Sequence, residues 1–167
     1  MTVCFGWLTR DLKETERLGR EIGGCLEPGD TLVLTGDLGA GKTTLTRSIA
    51  GALGIDDVSS PSFAIVHEYE LPGSPGFFVH ADLYRLGEGA DISETGLEEY
   101  VREGGNIVVV EWGNLLYDAF VGSRCVEISI SYDDSCESCR IFRMRVDDGI
   151  AHRFEQADLQ ELSMDHD

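Results

Sequence analysis

The sequence predicts an α/β protein built around a phosphate-binding loop, and three observations carry that expectation. An apolar, β-branched run from Thr31 leads into Gly36-Asp37-Leu38-Gly39-Ala40-Gly41-Lys42-Thr43, and a helical pattern opens at once behind it. Ile107-Val108-Val109-Val110 is a continuous β-branched run, the pattern of a strand buried on both faces. Segments with period-2 and period-3.6 apolar spacing cover much of the remainder.

The loop has the spacing G-x-x-x-x-G-K-[ST] in the strand-then-helix setting that phosphate binding requires. Gly36, Gly39 and Gly41 allow φ > 0, so that successive amides, from Asp37, Leu38 and Ala40 through to Thr44, converge on one centre. The helix N-terminus adds partial positive charge to the same spot. Lys42 supplies a compact cation for the β- and γ-phosphates, and the Thr43 hydroxyl is suited to Mg²⁺. A glycine-rich turn that merely precedes a helix is the competing reading. Three glycines, a lysine and a hydroxyl in register make it the weaker one.

Taken in order, residues 1–8 alternate (Val3, Phe5, Trp7) as an opening strand. Asp11 and Glu14 form an N-cap and N3 pair, and Leu12, Thr15, Leu18, Ile22 and Leu26 share one helical face. Pro28-Gly29-Asp30 turns the chain into the loop's strand. Leu45, Ile49 and Leu53 face the sheet, with Gly54 as C′ residue. A stiff connector at Ser59–Phe63 precedes a strand from Ala64 to Glu70, a turn at 71–76 and a strand from Phe77 to Asp82. Leu83–Leu86 is loop. A helix is expected over 93–103 and stops at Gly104-Gly105. Val126–Ser131 and Arg140–Val146 form a hairpin across Asp133–Cys139. The tail from about 155 is a terminal helix or frayed. The length, 167 residues, is that of one domain, 1–167.

Thirty-one acidic against 13 basic side chains leave a net charge of −18. Nucleic-acid binding needs Lys and Arg at phosphates, so no strong direct tRNA, RNA or DNA binding is expected. Docking on a basic protein partner is compatible with the charge. No apolar stretch approaches the roughly 20 residues of a membrane span, and no signal segment is apparent; a cytoplasmic location is expected. Five cysteines are an odd number, and Cys136-Glu137-Ser138-Cys139 is read as incidental thiols in a hairpin loop rather than a redox pair or zinc site.

In open α/β sheets, ligands lie beyond the carboxyl ends of parallel strands. Asp82 and Glu111 both end apolar runs there. Glu111, after four buried residues, is placed for a metal shell rather than as a solvent-seeking charge. Asp82 at a strand end is as readily a cap. Trp112 either stacks on a base or aromatic partner or is packing. His80, inside an apolar strand, is expected to be a satisfied structural histidine. Arg85 contacts phosphate or a surface carboxylate.

Together and in this order, GDLGAGKTT (Gly36–Thr44), SPSF (Ser60–Phe63), HADLYRL (His80–Leu86) and VEW (Val110–Trp112) resemble the TsaE (YjeE) family over roughly residues 8–145. The resemblance implies a P-loop NTPase-like three-layer fold with a mostly parallel central sheet and antiparallel additions. It implies a weak Mg²⁺-dependent ATPase that works with the TsaB and TsaD proteins in forming N6-threonylcarbamoyladenosine beside the tRNA anticodon. Carried over, Lys42 and the loop amides bind ATP phosphates, and Thr43 and Glu111 hold Mg²⁺. Asp82 polarises the attacking water or sits behind the metal's ligands, and Trp112 neighbours the nucleotide. Thr15 and Arg140 match positions near the base end. Ser62 replaces the usual threonine, and Gly113-Asn114 replaces a commoner acidic or proline-containing pair.

Two other classes share these parts. A small-molecule kinase needs an arginine-bearing lid, and the 13 basic residues are scattered. A nucleotide-gated binding module with negligible catalysis is the second. A regulatory GTPase is weaker, because no N/T-K-x-D string is present.

Overall fold

A computed structural model describes residues 2–61, 65–86, 91–112 and 124–157. Seven strands form one sheet: β1 (Thr2–Thr9), β2 (Asp30–Gly36), β3 (Val66–Glu70), β4 (Phe77–Asp82), β5 (Ile107–Glu111), β6 (Arg124–Asp133) and β7 (Cys136–Asp147). Their order is β1-β7-β6-β2-β5-β4-β3. The inner four, β6-β2-β5-β4, run parallel, while β1, β7 and β3 are antiparallel additions. The parallel core with antiparallel edges is as expected.

Period-2 alternation decides what each face packs against. Leu32, Leu34, Phe78, Ile107, Val109 and Ile128 join Leu18, Ile22, Leu45, Ile49 and Phe154 in one core. Those partners come from helices α1 (Leu12–Cys25), α2 (Lys42–Ala52) and α4 (Asp148–Glu155). On the opposite face Val33, Val79, Ala81, Val108 and Val110 pack with Leu83 and with Leu97 of helix α3 (Leu97–Glu103). β5 is therefore buried on both sides, as its unbroken apolar run demands.

Helix α1 begins where the sequence signals it. Asp11 accepts from the Glu14 amide at 2.9 Å. The returning bond from Glu14 goes one residue further back, to the Arg10 amide at 2.7 Å. Thr15, Leu18 and Ile22 are buried, but Leu12 is 61% exposed. Leu12 opens the first turn and lies beyond the helix's contact with the sheet.

Three further expectations are corrected, the helix over 93–103, the length of the hairpin loop and the incidental thiols at 136 and 139, and one helix appears that the sequence reading did not contain. The helix over 93–103 is two pieces: a 3₁₀ turn, Ile92–Thr95, and α3, separated by Gly96 at φ 73°. Its left-handed backbone breaks a register that apolar spacing alone would continue. The hairpin loop is only Asp134-Ser135, because β6 and β7 pair out to Asp133 and Cys136. Cys136 and Cys139 are joined as a disulfide at the start of β7. Finally, α4 follows β7 directly, started by Asp147 accepting from the Gly149 amide; the acidic composition around it hid a short amphipathic helix. Ser62, Phe63, Ala64, Gly113, Asn114 and the tail beyond 157 lie outside the described residues.

Candidate functional site

The parallel strands bring three tips together. β2 ends at Gly36, β4 at Asp82 and β5 at Glu111, and register pairs Leu34 with Glu111 and Glu111 with Asp82. Side chains 68 residues apart thus meet: the Thr43 hydroxyl donates to Glu111 Oε1 at 2.9 Å. Glu111 is 2% exposed.

The loop between β2 and α2 curls as its glycines permit. A side chain at Gly36 would bring a Cβ to 2.6 Å from the Ile130 carbonyl oxygen of β6, so only glycine lets the strand run on into the loop. Gly41, at φ 113°, is the N-cap of α2 and provides no side-chain cap. The space a Cβ would occupy there is open. The first amides of α2 are thus left without a side-chain cap, as at helix N-termini that take up an anion.

Lys42 is 5% exposed. Its Nζ donates to the carbonyls of Gly36 at 2.7 Å and Asp37 at 2.9 Å. The Trp112 ring lies over it, 4.0 Å from Nζ to the centroid. Burial lowers the lysine's pKa, opposed by the negative charges of Glu111, Asp82 and Asp37. Trp112 holds this position from a left-handed backbone, φ 61°, which costs a non-glycine residue on the order of 1–3 kcal/mol. Its ring also meets Tyr84 at 5.0 Å between centroids. The ring also packs against the Val33, Val79 and Val108 cluster, so Trp112 is partly buried packing with a tilted aromatic neighbour.

The remaining predicted residues fall around this centre. Asp82 Oδ1 accepts from the Tyr84 amide at 3.0 Å, so the strand-end carboxylate does cap the following turn. Ala40 donates its amide to Asp37, and the Thr44 carbonyl accepts from Ser48. Leu38 is 69% exposed at the loop tip, and its carbonyl accepts from the Tyr132 hydroxyl at 3.1 Å. Arg140 lies over the Tyr132 ring at 4.3 Å. It stands opposite Thr9 across β1 and β7, and Thr9 hydrogen-bonds Thr15 at 2.8 Å. Thr15 and Arg140 thus belong to a chain of contacts running out from the loop rather than to its centre. Arg85 is exposed.

Sequence reasoning missed two side chains, Tyr84 and Tyr132, and gave a third, His80, a purely structural role. His80 is fully buried, its Nε2 2.6 Å from Glu111 Oε2, and its Nδ1 has no partner among the described residues. It is not the satisfied structural histidine expected. The signal was present: a polar residue in an apolar strand, on the same face as Asp82 two residues on.

Among the described residues, no group of three or more His, Cys, Asp and Glu is placed to hold a metal. The oxygen pair of Thr43 and Glu111 suits Mg²⁺ in another way, since that ion takes one or two protein oxygens and completes its shell with phosphate and water.

Strand, glycine loop and helix, beside a parallel strand ending in a buried acid, define a protein of the P-loop NTPase-like class. The comparisons narrow the class. The sequence profile of the family described as threonylcarbamoyl adenosine biosynthesis protein TsaE matches residues 9–141. The tRNA threonylcarbamoyladenosine biosynthesis protein TsaE of Bacillus subtilis is 37% identical over 133 residues, 78% of this chain and 81% of that one. Its Streptomyces coelicolor counterpart is 34% identical over 148 residues, 87% of this chain and 97% of that one. The crystal structure of Bacillus subtilis YdiB superposes with a TM-score of 0.74 at 29% identity, covering 93% of this chain and 95% of that one. The chain belongs to the TsaE family.

Proposed function

We propose that this chain binds ATP with Mg²⁺, hydrolyses it slowly, and serves as the ATPase accessory to TsaB and TsaD in forming N6-threonylcarbamoyladenosine on tRNA. One observation carries the reading: a buried lysine whose ammonium rests on two loop carbonyls, beside a threonine–glutamate pair built from distant segments. A buried cation without a carboxylate on its Nζ hydrogen bonds is poised for an anion.

Lys42 and the loop amides, apart from that of Ala40, which is given to the Asp37 carbonyl, bind and orient the triphosphate. Thr43 and Glu111 would hold Mg²⁺, which when bound would neutralise phosphate charge. Asp82, the register partner of Glu111 on the neighbouring strand, orients the attacking water or a water of the metal shell. Trp112 covers the Lys42 side and limits water there. Thr15 and Arg140 approach the base end through Tyr132.

The partner reading draws on surface as well as family. Leu38, Tyr84 and Tyr132 are exposed apolar side chains at the mouth of the loop, where nucleotide state would be read by a docked protein. The −18 charge favours that over holding tRNA. A kinase reading gains nothing from Arg124, at the start of β6, or Arg153, in α4: both are engaged with Asp30, at the opposite end of β2 from the loop.

Lys42→Ala tests the site. Calorimetry should show ATP binding abolished, and retained binding and hydrolysis would sink the assignment. Partner affinity measured with ADP against a non-hydrolysable ATP analogue separates an ATPase cycle from an inert module; equal affinities leave the nucleotide no leverage.

A further inference from the structure

Strand β4 carries Phe78-Val79-His80-Ala81 into the site, and His80 is fully buried. It shares a face with Phe78, which packs in the core beneath α1 and α2. A phenylalanine or leucine would fill this space without stranding a ring nitrogen. Nδ1 is in fact stranded among the described residues, an unfavourable arrangement for a buried polar atom. The other nitrogen gives the reason for the residue. Nε2 lies 2.6 Å from Glu111 Oε2, while the Thr43 hydroxyl holds Oε1 at 2.9 Å. Each oxygen of one buried carboxylate is thus fixed from a different element, β4 and α2. With Glu111 ionised, the short contact requires the proton on Nε2.

We infer that His80 is the positioning residue of the candidate metal centre: Nε2–H clamps Glu111 Oε2 and thereby keeps Oε1 beside the Thr43 hydroxyl, aimed where a divalent cation is held. The inference rests on the Mg²⁺–nucleotide reading above. Partners behind a metal ligand typically change affinity or activity by about 10–100-fold when removed.

The test compares His80→Phe, His80→Gln and His80→Asn in the full chain. ADP binding is measured calorimetrically without metal and across a Mg²⁺ titration, and kcat and KM are measured separately. H80F should bind metal-free ADP like the parent, need about 10-fold more Mg²⁺ for the same gain in affinity, and lose about 10–100-fold in kcat with little change in KM. The glutamine amide reaches the place of Nε2 and the asparagine amide does not, so H80Q should recover most of the Mg²⁺ response and H80N little. An H80F protein with the parental Mg²⁺ response overturns the inference. If H80F fails to fold, equal Mg²⁺ responses in H80Q and H80N overturn it instead. Loss of metal-free ADP binding in all three variants would show a packing role and also overturn it. Failure of the broader reading looks different: there, Lys42→Ala itself keeps its nucleotide affinity.

Discussion

Lys42 illustrates how the site balances its charge. Burial works against the ammonium, and the two carbonyls, the Trp112 face and the nearby acids compensate. The acids then divide by task. On the proposed reading, in which loop amides and lysine grip the triphosphate, Glu111→Gln should lower hydrolysis more than binding. Asp82→Asn should lower kcat by about 10²-fold while ATP affinity, read by calorimetry, stays near the parent's. The free thiols make a separate residue-scale expectation. Burial pushes Cys25 and Cys125 up from about 9.0 to about 11, whereas Cys4 is exposed. At pH 8 iodoacetamide should label Cys4 first and the other two slowly. Because both hold their protons more tightly when folded, the stability they contribute is complete below about pH 9 and drains away as pH rises towards 11. Urea midpoints measured across that window should fall.

At the scale of elements, α1 and α2 approach unusually closely. A Cβ built on Gly23 would sit 2.7 Å from the Ile49 carbonyl oxygen, and one on Gly19 would sit 2.5 Å from Ser48 Cβ. Gly23→Ala therefore sets two effects against each other. Helix propensity favours alanine by about 1 kcal/mol, while forcing atoms into a packed contact costs about 1–3 kcal/mol. The clash involves backbone, so destabilisation should win, with a lower denaturation midpoint. At the other end of the sheet, α4 is tied down by charge. Asp30 is fully buried, accepts from the Glu27 amide, and pairs with Arg153 at 2.9 Å and Arg124 at 2.8 Å. Burial works to lower the Arg153 pKa, but its hydrogen bond and attraction to Asp30, with Glu27 and Cys25 added, raise it overall. Asp30→Asn leaves Arg153 and the half-exposed Arg124 with only the exposed Glu27 as carboxylate partner and should cost about 1–3 kcal/mol, measured by chemical denaturation.

Across the whole molecule, the two ends of the parallel core do different work: Asp30 anchors the amino ends, and the loop, Asp82 and Glu111 occupy the carboxyl ends. The hairpin of β6 and β7 joins the regions, from Val126 in the core to Tyr132 at the loop. Its Cys136–Cys139 disulfide closes a loop of only a few residues, for which chain entropy contributes about 2 kcal/mol. Reduction should lower Tm by several degrees without unfolding the protein, since β1 and β6 still flank β7. No helix among the described residues is long and apolar enough to cross a membrane.

The sequence by itself determined the parts governed by local rules. Spacing of three glycines, a lysine and a hydroxyl defined the loop, Asp11 defined the start of α1, and the unbroken apolar run of β5 defined a central strand. These depend on residues near in the chain, where dihedral preference and side-chain period act directly. Only the tertiary structure decided that His80 meets Glu111, that Arg153 reaches Asp30, that Leu12 stays exposed, and that Cys136 and Cys139 are bonded. The first depends on which strands become neighbours and in what register, and a one-residue slip would send His80 to the other face; the next two depend on how helices α4 and α1 dock on the sheet, and the last on β7 beginning as early as Cys136.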